Sequence, residues 1–137
     1  MEKIKIQTTV GKKADTVWDS YTNPTHITKW NFATEDWQCP HAENDLRVGG
    51  KYLARMEAKD GSFGFDFEAE YTAIDHGKSF TYVMPDARMV EVNFENSGDA
   101  TEVRIVFDAE NQNPIDMQRD GWQSILNNFK TYTEALP

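Results

Sequence analysis

Three histidines and one cysteine are the side chains of this 137-residue chain best suited to metal or nucleophilic chemistry. Their positions assemble neither. His26, His41 and His76 share no spacing that a metal centre or a catalytic triad requires. Cys39-Pro40-His41 is the nearest approach to a ligand pair, but with no second pair it reads as a surface loop. Ser62, Ser79, Ser97 and Ser124 sit in no nucleophile motif, and the glycine pairs resemble no phosphate-binding loop, so hydrolase and nucleotide chemistry find no support. Asp66, Glu68 and Glu70 recur at every second residue between aromatics, which in a strand turns all three carboxylates to solvent and away from any reaction centre. Arg55 and Arg119 are the cations that could meet an acidic group of a ligand, with solvated or ion-paired arginines as the plainer alternative. No catalytic residue, metal ligand or cofactor is assigned.

What remains is aromatic. Trp30, Trp37, Tyr52, Phe65, Phe67, Tyr82, Trp122 and Phe129 form a hydrophobic core first. Their number, together with O–H and N–H groups that need partners, also matches the lining of a mostly apolar small-molecule pocket. Gly121 stands directly before Trp122 inside an amphipathic segment. A helix-interior glycine costs roughly 1 kcal/mol relative to Ala, so either close packing or space kept for a guest must favour it.

The elements that would position these groups follow from periodicity. "KIKIQTTV" alternates Ile4, Ile6, Thr8 and Val10 as a half-buried strand. "ADTVWDSYT" and "NPTHITKW" read as two short helices, the second capped by Asn23 with Pro24 at its first position. "FATEDWQCPHAEN" reads as a loop that carries Trp37, with a short edge strand in "AENDLRV". Then come one-sided strands: Tyr52, Ala54 and Met56; a hairpin turn at Asp60-Gly61; Phe63, Phe65, Phe67, Ala69, Tyr71 and Ala73; Phe80, Tyr82 and Met84; Val90, Val92 and Phe94; Val103, Ile105 and Phe107. The chain closes with a helix capped by Asn113, whose stripe is Trp122, Ile125, Leu126, Phe129, Tyr132 and Leu136. An antiparallel sheet that is polar on one face must be covered on the other, and this helix is the cover. The prediction is an α+β helix grip, a curved antiparallel sheet around a long C-terminal helix, as one domain over residues 1–137.

Composition bounds the setting. A formal net charge of −9 opposes nucleic acid and anionic lipid surfaces. No apolar run is long enough for a membrane span, the N-terminus lacks the apolar core of a signal peptide, and a lone cysteine suits a reducing cytoplasm.

The order of elements, with "DLRVGGKY", "RMEAKDGSFGFDFEAEY" and "QRDGWQSILNNFKTY" in sequence, resembles the START-like helix-grip superfamily (SRPBCC) over essentially the whole chain. Within it, the chain is most similar to the AHSA-like branch, related to the C-terminal domain of heat-shock ATPase activators. The resemblance implies a cavity between sheet and helix that in many relatives holds an apolar small molecule. Many relatives also carry a histidine three residues before the Gly-Trp pair; here that position is Gln118, so no acid–base role carries over. The function expected is non-catalytic binding of an apolar or amphipathic molecule, a lipid or polycyclic aromatic. The site would comprise Trp30, Trp37, Tyr52, Phe67, Tyr82, Gly121, Trp122, Ile125, Leu126 and Phe129. The alternatives are a chaperone accessory that contacts a heat-shock ATPase, and a cyclase- or aromatase-like enzyme.

Overall fold

A computed structural model describes residues 2–137. Its elements run β1 (Lys3–Val10), α1 (Ala14–Thr22), α2 (Pro24–Trp30), β2 (Trp37–Asn44), β3 (Lys51–Ala58), β4 (Gly64–Asp75), β5 (Ser79–Val83), β6 (Met89–Ser97), β7 (Ala100–Asp108) and α3 (Ile115–Glu134). The seven strands form one antiparallel sheet in the order β1-β7-β6-β5-β4-β3-β2. The α+β helix grip is therefore the observed architecture. Strands β2 to β7 are a plain meander, while β1 pairs with β7 at the far edge, so α1 and α2 must carry the chain from one edge of the sheet to the other.

The alternating residues place the core as expected. Ile4, Ile6, Tyr52, Ala54, Met56, Phe80, Tyr82, Val90, Val92, Val103, Ile105 and Phe107 are all buried on the face covered by the helices. Among the described residues no helix is long and apolar enough to cross a membrane.

Four details depart from the sequence reading. First, Trp37–Asn44 is an edge strand and not a loop, with its register broken between Gln38 and His41. Pro40 lies in that break, where an edge strand can do without an N–H. Second, the strand expected from "AENDLRV" stops at Asn44, and Asp45–Gly50 form a tight turn whose Gly49 N–H and Gly50 C=O bond to the backbone of Tyr71. A Cβ on Gly50 would lie 2.0 Å from the Asp45 carbonyl oxygen, so only glycine fits there. Third, β4 is bulged: Tyr71 faces Tyr82, but Ala73 already faces Thr81. The extra residue reverses the phase, so Ala73 is exposed and Ile74 packs on the core. Fourth, Asn113 does not cap α3. Pro114 occupies the cap position with no side-chain bond, and Gln118 takes over the task. Its amide donates to the carbonyls of Glu110 and Asn113 (3.0 and 2.8 Å) and accepts from the Glu110 N–H (2.9 Å). The expected cap of α2 is present, with the Asn23 side chain accepting from the Thr25 N–H at 3.0 Å.

Candidate functional site

Helix α3 lies closest to β1, and α2 lies closest to β2, so the two helices rest on opposite edges of the sheet. Between them, over the middle strands, a recess of about 260 Å³ remains. Tyr21 of α1, Trp30 of α2 and the adjoining Asn31 form one end. Trp122, Ile125 and Leu126 of α3 form the roof. Tyr52 and Met56 of β3, Phe65 and Phe67 of β4, Tyr82 of β5 and Met84 just after it, Arg88 just before β6 and Ile105 of β7 form the sheet side.

Of the residues singled out from sequence, Trp30, Tyr52, Phe67, Tyr82, Trp122, Ile125 and Leu126 are thus brought together around one space. The other three stand elsewhere. Phe129 is wholly buried behind the wall, edge-on to Trp30 and Tyr21 with ring centroids 4.9 and 5.0 Å away. Trp37 joins Phe63 and Phe65 in an aromatic cluster at the open end of the β3–β4 hairpin. Phe65 was expected to be buried with Phe67 and Tyr71. It is 43% exposed and Phe67 is half-buried, while Tyr71 is fully enclosed, so burial along β4 falls off toward the β3–β4 hairpin. Gly121 is outside the lining, and a Cβ built on it meets nothing within 4 Å, which removes close packing as the reason for this glycine.

The expected site omits Tyr21, Asn31, Met56, Phe65, Met84, Arg88 and Ile105, all of which line the recess. Arg88 carries a readable signal: in "ARMVEV" it is in phase with the inward Val90 and Val92. The arginines proposed instead both turn outward. Arg55 bonds Glu57 (3.1 Å) and Asp66 (3.4 Å) on the solvent face, and Arg119 bonds Asp116 (2.7 Å) one helical turn before it.

The recess is apolar with a polar seam. Asn31 Nδ2 donates to the Tyr52 hydroxyl at a long 3.4 Å. The Tyr71 hydroxyl is committed to Asn44 Oδ1 at 2.8 Å. Tyr82, whose hydroxyl makes no hydrogen bond to the protein among the described residues, is one of the residues that line the recess. Burial holds the phenols of Tyr21, Tyr52 and Tyr82 well above their ordinary range, so near neutral pH they are neutral hydrogen-bonding groups and not bases.

The groups with titrating chemistry lie elsewhere. His26 bonds the Tyr132 hydroxyl at 2.6 Å between α2 and α3, His41 pairs with Glu43 at the surface, and His76 sits beside Trp18. Burial pushes the Cys39 thiol up to about 11, leaving a small apolar side chain and no nucleophile. Among the described residues no three His, Cys, Asp or Glu side chains stand close enough to share a metal ion. A wider depression of about 720 Å³ crosses the rim of β2 to β5, but Glu43, Asp45, Lys51, Glu68 and Glu70 line it, as befits a solvated surface and not an apolar site.

The profile of the family described as Activator of Hsp90 ATPase homolog 1-like protein matches residues 12–134. A solution structure of an AHSA1-like protein from Aeromonas hydrophila is 40% identical, with a TM-score of 0.91 over 98% of this chain and 93% of that one. A solution structure from Cytophaga hutchinsonii is 42% identical, with a TM-score of 0.84 over 96% of this chain and 92% of that one. A crystal structure from Chromobacterium violaceum shares the fold at 20% identity, with a TM-score of 0.86 over 98% of each chain. Among curated proteins none matches. On the profile match and the two structures at 40% identity or above, the chain belongs to the Activator of Hsp90 ATPase homolog 1-like family.

Proposed function

We propose that the protein binds a small apolar or amphipathic molecule in the recess between the sheet and α3, without catalysis. The observation that carries this reading is the lining: aromatic and aliphatic side chains from both helix edges and four strands converge on a space of about 260 Å³, with the phenols of Tyr21, Tyr52 and Tyr82 and the amide of Asn31 among them. Apolar walls with a few directed polar groups are what a small-molecule site requires. Known pockets for drug-sized ligands run from roughly 300 to 1,000 Å³, so the guest favoured here has one or two rings; a long lipid chain or a larger polycycle would require the open end at Phe65 to spread. A catalytic reading gains nothing from the lining, which holds no carboxylate, histidine or thiol to move a proton.

Native mass spectrometry of the purified protein tests the proposal. A co-purified small molecule, or one-to-one binding of naphthalene-sized probes with shifts at the Trp122 indole, is the expected result. Absence of both would overturn it. The Trp37, Phe63 and Phe65 cluster, with the family's description, favours one second reading, a contact with a heat-shock ATPase. Capture of such an ATPase that is lost in Phe63→Ser would support that reading over the first.

A further inference from the structure

Arg88 is the one charged residue among those that line the recess. The chain carries 23 acidic and 14 basic residues, and cations such as Lys51, Arg55 and Arg104 pair with acids on the outer surface. Its backbone is pinned: the Arg88 carbonyl accepts from the Met84 N–H at 2.8 Å, closing the β5–β6 hairpin. Its side chain is pinned from one side only. Asp86 Oδ2 accepts from Nε at 2.7 Å, and Asp86 Oδ1 lies 3.2 Å from the Arg88 amide. Among the described residues no protein acceptor engages either Nη atom, although the side chain is only 23% exposed. Asp86 itself is not part of the lining. A guanidinium presents paired donors along its edges, and the Nη edge is the one left for a planar, two-oxygen acceptor.

We propose that the recess selects an aromatic or alicyclic carboxylic acid, with the carboxylate taken by the Nη edge of Arg88 and the ring held under Trp122. This rests on the ligand-binding reading above and adds to it the charge class of the guest. The polarity follows from the lining: its one charged residue is Arg88, whose Asp86 partner occupies Nε alone, and its phenol and amide groups can meet a further hydroxyl or carbonyl at the end formed by Tyr82 and Asn31. An amine of the same shape would find only N–H donors along the Nη edge and no acceptor for its own protons, since the Asp86 carboxylate is engaged at Nε. Asp86 has the role of a positioning residue, holding Nε so that the other edge is preset.

Three probes with one ring system test the proposal: 2-naphthoic acid, 2-acetylnaphthalene and 2-naphthylmethylamine, titrated at neutral pH by tryptophan fluorescence and by shifts of the Trp122 indole. The expected order is acid, then ketone, then amine, with the acid about tenfold or more tighter than the ketone, the scale of a charge-assisted hydrogen bond in a partly buried site. Arg88→Met should abolish that preference and leave ketone binding in place, which also shows that the variant is folded. Arg88→Lys, which keeps the charge and loses the paired donors, should fall between. Equal affinity for acid and ketone in the unmodified protein, or a preference that survives Arg88→Met, overturns the selection of an acid while leaving the recess as a binding site. Failure of all three probes to bind overturns this inference, and where no small molecule co-purifies either, it overturns the binding reading with it.

Discussion

Replacing Gly121 by Ala should make the protein more stable. The residue sits in the seventh position of the 20-residue helix α3, its backbone is helical, and a Cβ built there meets nothing within 4 Å. No steric cost therefore offsets the propensity gain, which for Gly to Ala in a helix interior is about 0.8–1.0 kcal/mol. An unfolding entropy of roughly 2.1 cal mol⁻¹ K⁻¹ per residue over a chain of this length makes 1 kcal/mol worth about 3 °C in Tm. Thermal unfolding followed by circular dichroism resolves such a shift. A Tm that is unchanged or lower would mean that α3 approaches another part of the chain more closely than the 4 Å clearance indicates. Gly121→Leu carries the argument further. If the glycine keeps a path to the recess open, the leucine variant should remain as stable as Gly121→Ala yet lose affinity for the naphthalene probes. If the glycine has no such role, it should bind them unchanged.

Phe129→Ala should cost about 3–5 kcal/mol in chemical denaturation, since the ring is wholly enclosed against Tyr21 and Trp30; a loss under 1 kcal/mol would place it on the wall of an open space instead. Gln118→Ala should cost roughly 1–3 kcal/mol and speed amide exchange at Glu110, because it strands one N–H and two carbonyls at the start of α3; unaltered exchange would show that the clamp is dispensable. Asp108→Asn has a pH signature. The Lys3 ammonium, 2.6 Å from Oδ1, and the Met89 N–H, 2.9 Å from Oδ2, hold the Asp108 carboxyl below the usual carboxylate range. The folded pKa lies below the unfolded one, so the stabilisation is present above roughly pH 3.9 and is lost as pH falls through the lower folded value. The variant should thus be about 1 kcal/mol less stable than the parent at pH 7, with the gap narrowing as the pH falls below roughly 3.9, and a gap that stays constant into acid would refute the assignment.

Much of this fold can be read locally, because each strand buries one face and its alternation survives in the sequence. Tyr52, Ala54 and Met56, or Val103, Ile105 and Phe107, need no partner to be identified as inward. The errors fall where a distant contact overrides local pattern. The bulge after Tyr71 arises where the Gly49-Gly50 turn docks on that residue's backbone, some twenty positions away in sequence, and nothing within "YTAID" announces the change of phase. Trp37–Asn44 becomes a strand because β3 is there to pair with it, despite Pro40. The recess was legible in part for a related reason. Aromatic side chains mark it plainly, whereas Arg88 looks like one more surface charge of a hairpin until its phase with Val90 is counted.

The recess persists because α3 is fastened along one edge of the sheet. Three side chains of the helix bond the backbone of β1 and the residue after it: Gln123 to the Gln7 carbonyl at 3.2 Å, Lys130 to the Thr9 carbonyl at 2.5 Å, and Glu134 to the Gly11 N–H at 2.7 Å. On its other flank, Asn128 donates to the Trp30 carbonyl and Thr133 shares a buried hydrogen bond with Ser20, each at 2.8 Å, which fixes α3 to α2 and α1. Descent of α3 onto β3 to β5 would break these bonds at about 0.5–1.5 kcal/mol each, and it would unstack Trp122 from Phe107, whose rings lie 3.9 Å apart. The apolar area that such a collapse could bury is limited to the few side chains facing a space of about 260 Å³, most of them already largely covered. Losses at several bonds outweigh that gain, so the edge contacts set the span of the grip, and side chains such as Phe67, Tyr82 and Ile125 decide only how much of the span a guest can occupy.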